Sequence, residues 1–144
     1  MAKIVPLISS GTAGPLGILH LPRLWQKLSL ESVGKLADGY PGCGKGYDSM
    51  VLNALGIPED SVKEFVKTSR PTYPAFEAWI LGQPDVKLDD STITTLNAAI
   101  TGYIHDADTR KDILGENSLT DGPRDAINLN NLDDWFLFHQ AELS

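Results

Sequence analysis

The 144-residue chain has one cysteine and only twelve lysines and arginines, and each shortage excludes something. A lone Cys43 has no second thiol in the chain to bridge, which excludes a disulfide scaffold and suits a reducing compartment. Twelve basic residues against nineteen acidic ones leave a formal charge of −7. That is the wrong sign for a surface that must neutralise many phosphates, so no nucleic acid is expected as a partner. No stretch approaches the ~20 consecutive apolar residues that cross a bilayer, so no membrane partner is expected either. Between Met1 and Leu19 the apolar residues are interrupted by Pro6, Gly11, Gly14, Pro15 and Gly17, with no small-x-small pattern following. A secretory signal is not read there, and the expected setting is cytoplasmic.

What is present is enough for a core. The length suits one domain, and hydrophobic residues make up 42% of the chain. A domain of this size buries roughly 68–70% of the surface its unfolded chain exposes, so it needs neither metal nor cross-link to fold. Residues 1–20, punctuated by Gly, Ser and Pro, read as an extended arm whose apolar Ile4, Val5, Leu7 and Ile8 must be covered. The arm either crosses its own helical body or reaches a second copy as a homodimer. Residues 21–144 read as a helical domain.

Helical periodicity runs through most of that domain. Pro22 opens a first helix whose stripe is Leu21, Leu24, Trp25 and Leu28, widened by Leu30, Val33 and Leu36, with Gly34 marking a close crossing and Gly39 the stop. Asp48 as N-cap and Gly56 as stop frame a second helix. Pro58, Glu59 and Asp60 start a third, which ends at Arg70 and Pro71. Thr72 or Tyr73 caps a short fourth with Phe76, Trp79 and Ile80 on one face. Asp89, with Leu88 and Ile93 as a hydrophobic staple, starts a fifth whose stripe continues through Leu96, Ile100, Tyr103 and Ile104. Asp108 caps a sixth that stops at Gly115, and a polar loop follows from Glu116 to Asn131. Asn131 caps the last helix, with Leu132, Trp135, Phe136, His139 and Leu143 on one face. The expected fold is all-α: a single compact domain of six or seven short helices with an extended N-terminal arm.

Few residues carry chemistry. Gly39, Gly44 and Lys45 imitate a phosphate-binding loop, but Gly46 stands where a magnesium-binding hydroxyl is needed and a helix precedes the turn where a strand is required. Nucleotide binding is rejected, leaving a glycine turn whose N–H groups, with Lys45, make a nest for a lone anion. Arg23 in the first turn of a helix opposes the macrodipole and needs a partner. Either it pairs with Asp48, Glu77 or Asp134 to tie helices together, or it joins His20 in a pocket for an anion or carboxylate. His20, His105 and His139 with Asp106, Asp108, Asp133 and Asp134 offer metal-ligand types, but no two histidines share the i, i+4 spacing of a metal-binding helix, so neither metal nor cofactor is expected. Cys43 with a distant histidine is a bare nucleophile–base possibility. Tyr40, Tyr47 and Tyr73 sit at predicted loops or helix starts, placed either to cap and bridge or to rim a pocket beside Arg23.

The run from Leu16 to Ile80 resembles a bacterial family catalogued as a domain of unknown function. The carriers are His20-Leu21-Pro22-Arg23, Gly34-Lys35-Leu36 and Leu55-Gly56-Ile57, supported by Tyr40, Asp48, Phe65 and Glu77 to Trp79. The turn from Gly42 to Tyr47 is richer in glycine than the family's own. The resemblance implies a small, mainly helical bacterial protein and directs attention to His20, Arg23, Lys35, Tyr40 and Asp48, without supplying a reaction. The functional expectation is a cytoplasmic domain that binds a small anionic or carboxylate ligand, or a protein partner. Its candidate ligand-binding residues are His20, Arg23, Tyr40, Lys45, Asp48 and Tyr73. The alternative is a small-metabolite enzyme with His20 or Asp48 in acid–base roles and Arg23 stabilising charge.

Overall fold

The computed structural model describes residues 2–144, and the fold is all-α. Among these residues seven helices follow one another: α1 Leu21–Ser32, α2 Tyr47–Leu55, α3 Glu59–Ser69, α4 Tyr73–Leu81, α5 Asp90–Gly102, α6 Ala107–Glu116 and α7 Ala126–Leu143. α1 is the hub, in contact with α2, α3 and α4, while α5 links α2 to α7 and α6 lies along α7. Among the described residues no helix is long and apolar enough to cross a membrane.

The core grows from the α1 stripe. Leu21, Leu24 and Leu28 are buried and meet Val51 and Leu55 of α2, Val62 and Val66 of α3, and Phe76 and Ile80 of α4. Burying each such side chain contributes roughly 1.5–3 kcal/mol. Phe65 and Trp79 stack at 4.7 Å and nearly parallel, joining α3 to α4 at the edge of this core. A smaller cluster of Ile113, Leu114 and Leu129, with Leu132, holds α6 to α7.

Several helix boundaries differ from the sequence expectation, each for a local reason. α1 ends at Ser32 rather than running to Gly39, because Gly34 adopts φ +71° and Lys35 N–H turns back to the Leu30 carbonyl. Open space surrounds the position of a Cβ at Gly34, so it is a helix stop and not a crossing point. Leu36 is buried by pairing with Ile4 of the arm instead of by the helix. α2 begins at Tyr47 with Gly46 at its N-cap, so Asp48 lies inside the first turn. α5 stops at Gly102; Tyr103 and Ile104 leave the helix, and Ile104 pairs with Asp125. Asp106, not Asp108, caps α6 by accepting from Thr109 N–H, and Ser118 at φ +59° follows its end in place of Gly115.

The largest departure is α7. Asp125 caps it by accepting from Asn128 N–H, so the helix starts six residues before the expected cap at Asn131 and the long polar loop shrinks to residues 117–125. Its rotation also differs: Asp134 is 2% exposed whereas Trp135 is 57% and Leu143 is 67% exposed. The helix turns a carboxylate inward and leaves part of its apparent apolar stripe facing out.

The arm lies on its own helical body. Val5 and Pro6 are buried, Ile8 N–H donates to Gln26, and Arg23 donates to the carbonyls of Pro6 and Ile8.

Candidate functional site

The first two turns of α1 carry two adjacent stripes. Leu21, Leu24 and Leu28 face the hydrophobic core, while His20, Arg23 and Lys27, offset by one residue with the same i, i+3, i+7 spacing, face a cleft. The cleft has a volume of about 330 Å³, within the size range of small-molecule sites. Its other walls come from the loop at Tyr40, the glycine turn with Lys45, the start of α2 at Asp48, and Asn130, Asp133 and Asp134 of α7. Ser10 of the arm also faces it.

Two carboxylates organise the buried cations. Asp134 receives two hydrogen bonds from Arg23, at 2.7 and 3.1 Å, and a third from the Tyr40 hydroxyl at 2.8 Å. Asp48 receives Lys27 Nζ at 2.5 Å, Gly44 N–H at 2.7 Å and His20 Nε2 at 2.6 Å. The opposite ring nitrogen, His20 Nδ1, lies 2.9 Å from Ser10 Oγ. Ser10, His20, Arg23, Lys27, Asp48 and Asp134 are all at most 6% exposed.

Burial determines the protonation states. Desolvation holds the His20 imidazole below its ordinary value, against the pull of Asp48. Burial pushes the Asp48 carboxyl up, but the hydrogen bond from His20, the Lys27 ammonium and the Gly44 amide together hold it below the usual carboxylate range. Asp48 is thus an anion beside a neutral imidazole, with Lys27 as its counter-ion. An ionised carboxylate only accepts, so the single imidazole proton sits on Nε2 and points at Asp48. Nδ1 is then an acceptor, and Ser10 Oγ–H donates to it.

His20 occupies its place at a conformational cost. As the residue preceding α1 it adopts φ +70°, a left-handed geometry uncommon outside glycine that costs of order 1–3 kcal/mol and is concentrated at functional sites. Its N–H donates to the Thr12 carbonyl, and its ring tilts against Tyr47 at 5.3 Å.

At the mouth, Lys45 is exposed and His105 Nε2 lies 2.8 Å from Asn130 Oδ1. Asp133 is pushed up to about 6 by burial and by the Glu116 carboxyl beside it. Burial holds the Tyr40 hydroxyl far above its ordinary value, so it is a firm donor to Asp134.

The cleft therefore brings together His20, Arg23, Tyr40, Lys45 and Asp48, but not Tyr73. Tyr73 bonds Glu77 at 2.6 Å, stands edge-on to Trp25 and packs under Gly14, away from the cleft. Its hydroxyl bridges; it does not rim a pocket. Of the three carboxylates open to Arg23, Asp134 takes it, Asp48 takes Lys27, and Glu77 is occupied by Tyr73 and Leu16 N–H. The glycine turn is no free anion nest, because Gly42 N–H is bound to Glu31 and Gly44 N–H to Asp48. Burial, with Asp48 and Glu59 adding to it, pushes the Cys43 thiol up to about 12, leaving it protonated and a poor nucleophile. No group of three or more His, Cys, Asp or Glu among the described residues is placed to hold a metal ion.

Sequence reasoning missed Lys27 and Ser10. Lys27 was available from its spacing, seven residues after His20 and four after Arg23. Ser10 carries no local signal, since only the path of the arm brings it to His20. No protein-family model matches the chain, and no curated protein matches it.

Proposed function

We propose that the protein binds a small anionic or carboxylate-bearing molecule in the cleft between α1, the start of α2 and α7. One observation carries this reading: two cations of α1, Arg23 and Lys27, lie with the neutral His20 along one wall of the cleft while the exposed Lys45 stands at its mouth, in a chain of net charge −7. Hydrophobic residues of the same volume commonly hold helices together as well as or better than buried ion pairs, so stability alone does not call for this many charges. Lys27 has three donors and gives one to Asp48, which leaves N–H capacity on the cleft side. We place the activity in the cytoplasm, where a lone protonated thiol is at home.

The test is a thermal-shift series with small carboxylates and inorganic phosphate at millimolar concentration. A ligand at about 100 times its Kd adds ~2.7 kcal/mol to apparent stability, a shift of several degrees for a domain of this size. Lys45→Ala, which changes only the exposed rim, is expected to reduce the shift. If no compound of the series stabilises the protein, the reading fails.

A second reading, a small-metabolite enzyme with His20 and Asp48 in acid–base roles, is favoured by the tautomer of His20. A neutral imidazole whose Nδ1 lone pair faces a hydroxyl is in the form a general base requires. Arg23, with both terminal nitrogens taken by Asp134 and the arm carbonyls, then acts as a positioning residue and not as a direct stabiliser of charge.

A further inference from the structure

We propose that Ser10, His20 and Asp48 form a nucleophilic relay for acyl transfer, with Ser10 Oγ attacking a small carboxylic ester in the cleft. The proposal rests on the enzyme reading above and adds the nucleophile and the substrate class. Its basis is a continuous chain of contacts. Ser10 Oγ lies 2.9 Å from His20 Nδ1, His20 Nε2 lies 2.6 Å from Asp48 Oδ1, and all three residues line the same cleft. A nucleophile within hydrogen-bond reach of a base that a third group orients is the arrangement that activates a serine hydroxyl.

Each member is positioned independently of the other two. Ser10 sits on the arm segment that Arg23 grips through the Pro6 and Ile8 carbonyls. His20 is held by its left-handed backbone and by Tyr47. Asp48 is fixed in the first turn of α2 by Lys27 and Gly44 N–H. The acid faces Nε2 and the hydroxyl faces Nδ1, and the proton logic works in this order: Asp48 keeps the proton on Nε2 and leaves Nδ1 free to accept.

The reaction runs in two steps, acylation and hydrolysis. Ser10 Oγ adds to the ester carbonyl carbon as its proton passes to His20 Nδ1. The resulting tetrahedral oxyanion collapses, the alkoxide leaves with the proton from His20, and an acyl ester on Ser10 remains. Water then attacks this ester, giving its proton to His20 Nδ1, and collapse returns that proton to Ser10 Oγ while the carboxylic acid departs. The net reaction is ester plus water to acid plus alcohol. The imidazolium formed at each step is stabilised by Asp48, and Lys27, which gives one of its three donors to Asp48, has the sign a developing oxyanion needs.

The test uses an alkyl fluorophosphonate, which phosphonylates activated serines and carries no charge, so its outcome is independent of anion binding. The expected result is one adduct per full-length chain by intact mass, mapped to Ser10 by peptide mass spectrometry and absent in Ser10→Ala. Ser9→Ala, one residue away and outside the cleft, is expected to label like wild type. The labelling rate of the wild-type protein is expected to fall at least tenfold as pH drops below the ordinary histidine range, because protonated His20 cannot accept from Ser10. The pH profile needs no variant and so survives any misfolding of a His20 substitution. No adduct on the folded protein, an adduct elsewhere, or labelling indifferent to pH would overturn the proposal. Labelling at Ser10 without any stabilisation by carboxylates or phosphate would uphold the relay and remove the anion-binding reading.

Discussion

Arg23 and Asp134 stand 111 positions apart in the chain and meet through two hydrogen bonds of 2.7 and 3.1 Å. This pair fixes how α7 is rotated against α1. It brings Asp134 inward and leaves Trp135 in solvent, and it ties both helices to the arm, since the same Nη1 reaches the Ile8 carbonyl.

Removing one partner of that pair leaves a buried, uncompensated charge. Arg23→Ala is therefore expected to cost about 3–5 kcal/mol of stability in urea denaturation. Arg23→Lys keeps the charge but loses the planar fork, and is expected to fall between wild type and the alanine variant. A loss below about 1 kcal/mol for Arg23→Ala would place the pair among those that contribute little to stability.

Gly14 has no room for a side chain. A Cβ there would lie 2.4 Å from Tyr73 Cε2 and 2.7 Å from Glu77 Oε2, so the ring and the carboxylate would both have to move. Gly14→Ala is expected to destabilise by roughly 1–3 kcal/mol, with thermal and chemical denaturation agreeing.

Tyr73→Phe separates the bridging role of this tyrosine from the cleft. Loss of its hydrogen bond to Glu77 is expected to cost ~1 kcal/mol. Ligand-induced thermal shifts are expected to match those of wild type, and a changed ligand response would return Tyr73 to the site.

His20 makes the fold acid-sensitive. Its folded value lies below the ordinary 6.5, so between the two values the unfolded chain binds the extra proton and stability rises with pH. The His20 contribution is complete above 6.5 and is lost as pH falls through the depressed folded value. Asp48, also depressed from 3.8, adds a further loss in more acidic solution. Urea midpoints measured from pH 7 downward are expected to show this decline, and a flat profile across the histidine range would contradict a buried neutral imidazole.

Asp133 works in the opposite sense. Its carboxyl is raised from 3.8 to about 6, so the folded state holds the proton longer and stability from this group decreases as pH rises through that window. Asp133→Asn is expected to stabilise the protein at neutral pH by about 1 kcal/mol, after discounting for the solvent that reaches a half-buried side chain. At pH 4 the variant and wild type are expected to converge.

Much of this architecture is legible along the chain. Apolar spacing of three and four marks α1, α3, α4 and α5, Thr72 and Asp89 mark the starts of α4 and α5, and Gly56 marks the end of α2, because capping and helix stops depend on neighbours a few residues away. The mismatch of a cation in the first turn of α1 pointed to Arg23 for the same local reason. Where two local signals compete, the reading slips: Asp106 and Asp108 both suit an N-cap, and Asp106 takes the role by accepting from Thr109 N–H.

The sequence by itself determined the helical class, the stripe of α1 and the presence of basic and acidic groups seeking partners, since these follow from periodicity and short-range hydrogen bonding. Only the tertiary structure decided which carboxylate answers which cation, that Tyr73 belongs to Glu77, that α7 presents Asp134 to the interior, and that the arm brings Ser10 to His20. Those choices depend on contacts between positions tens of residues apart, where the cost of burying a charge is settled by whichever partner the packing of the helices brings within reach.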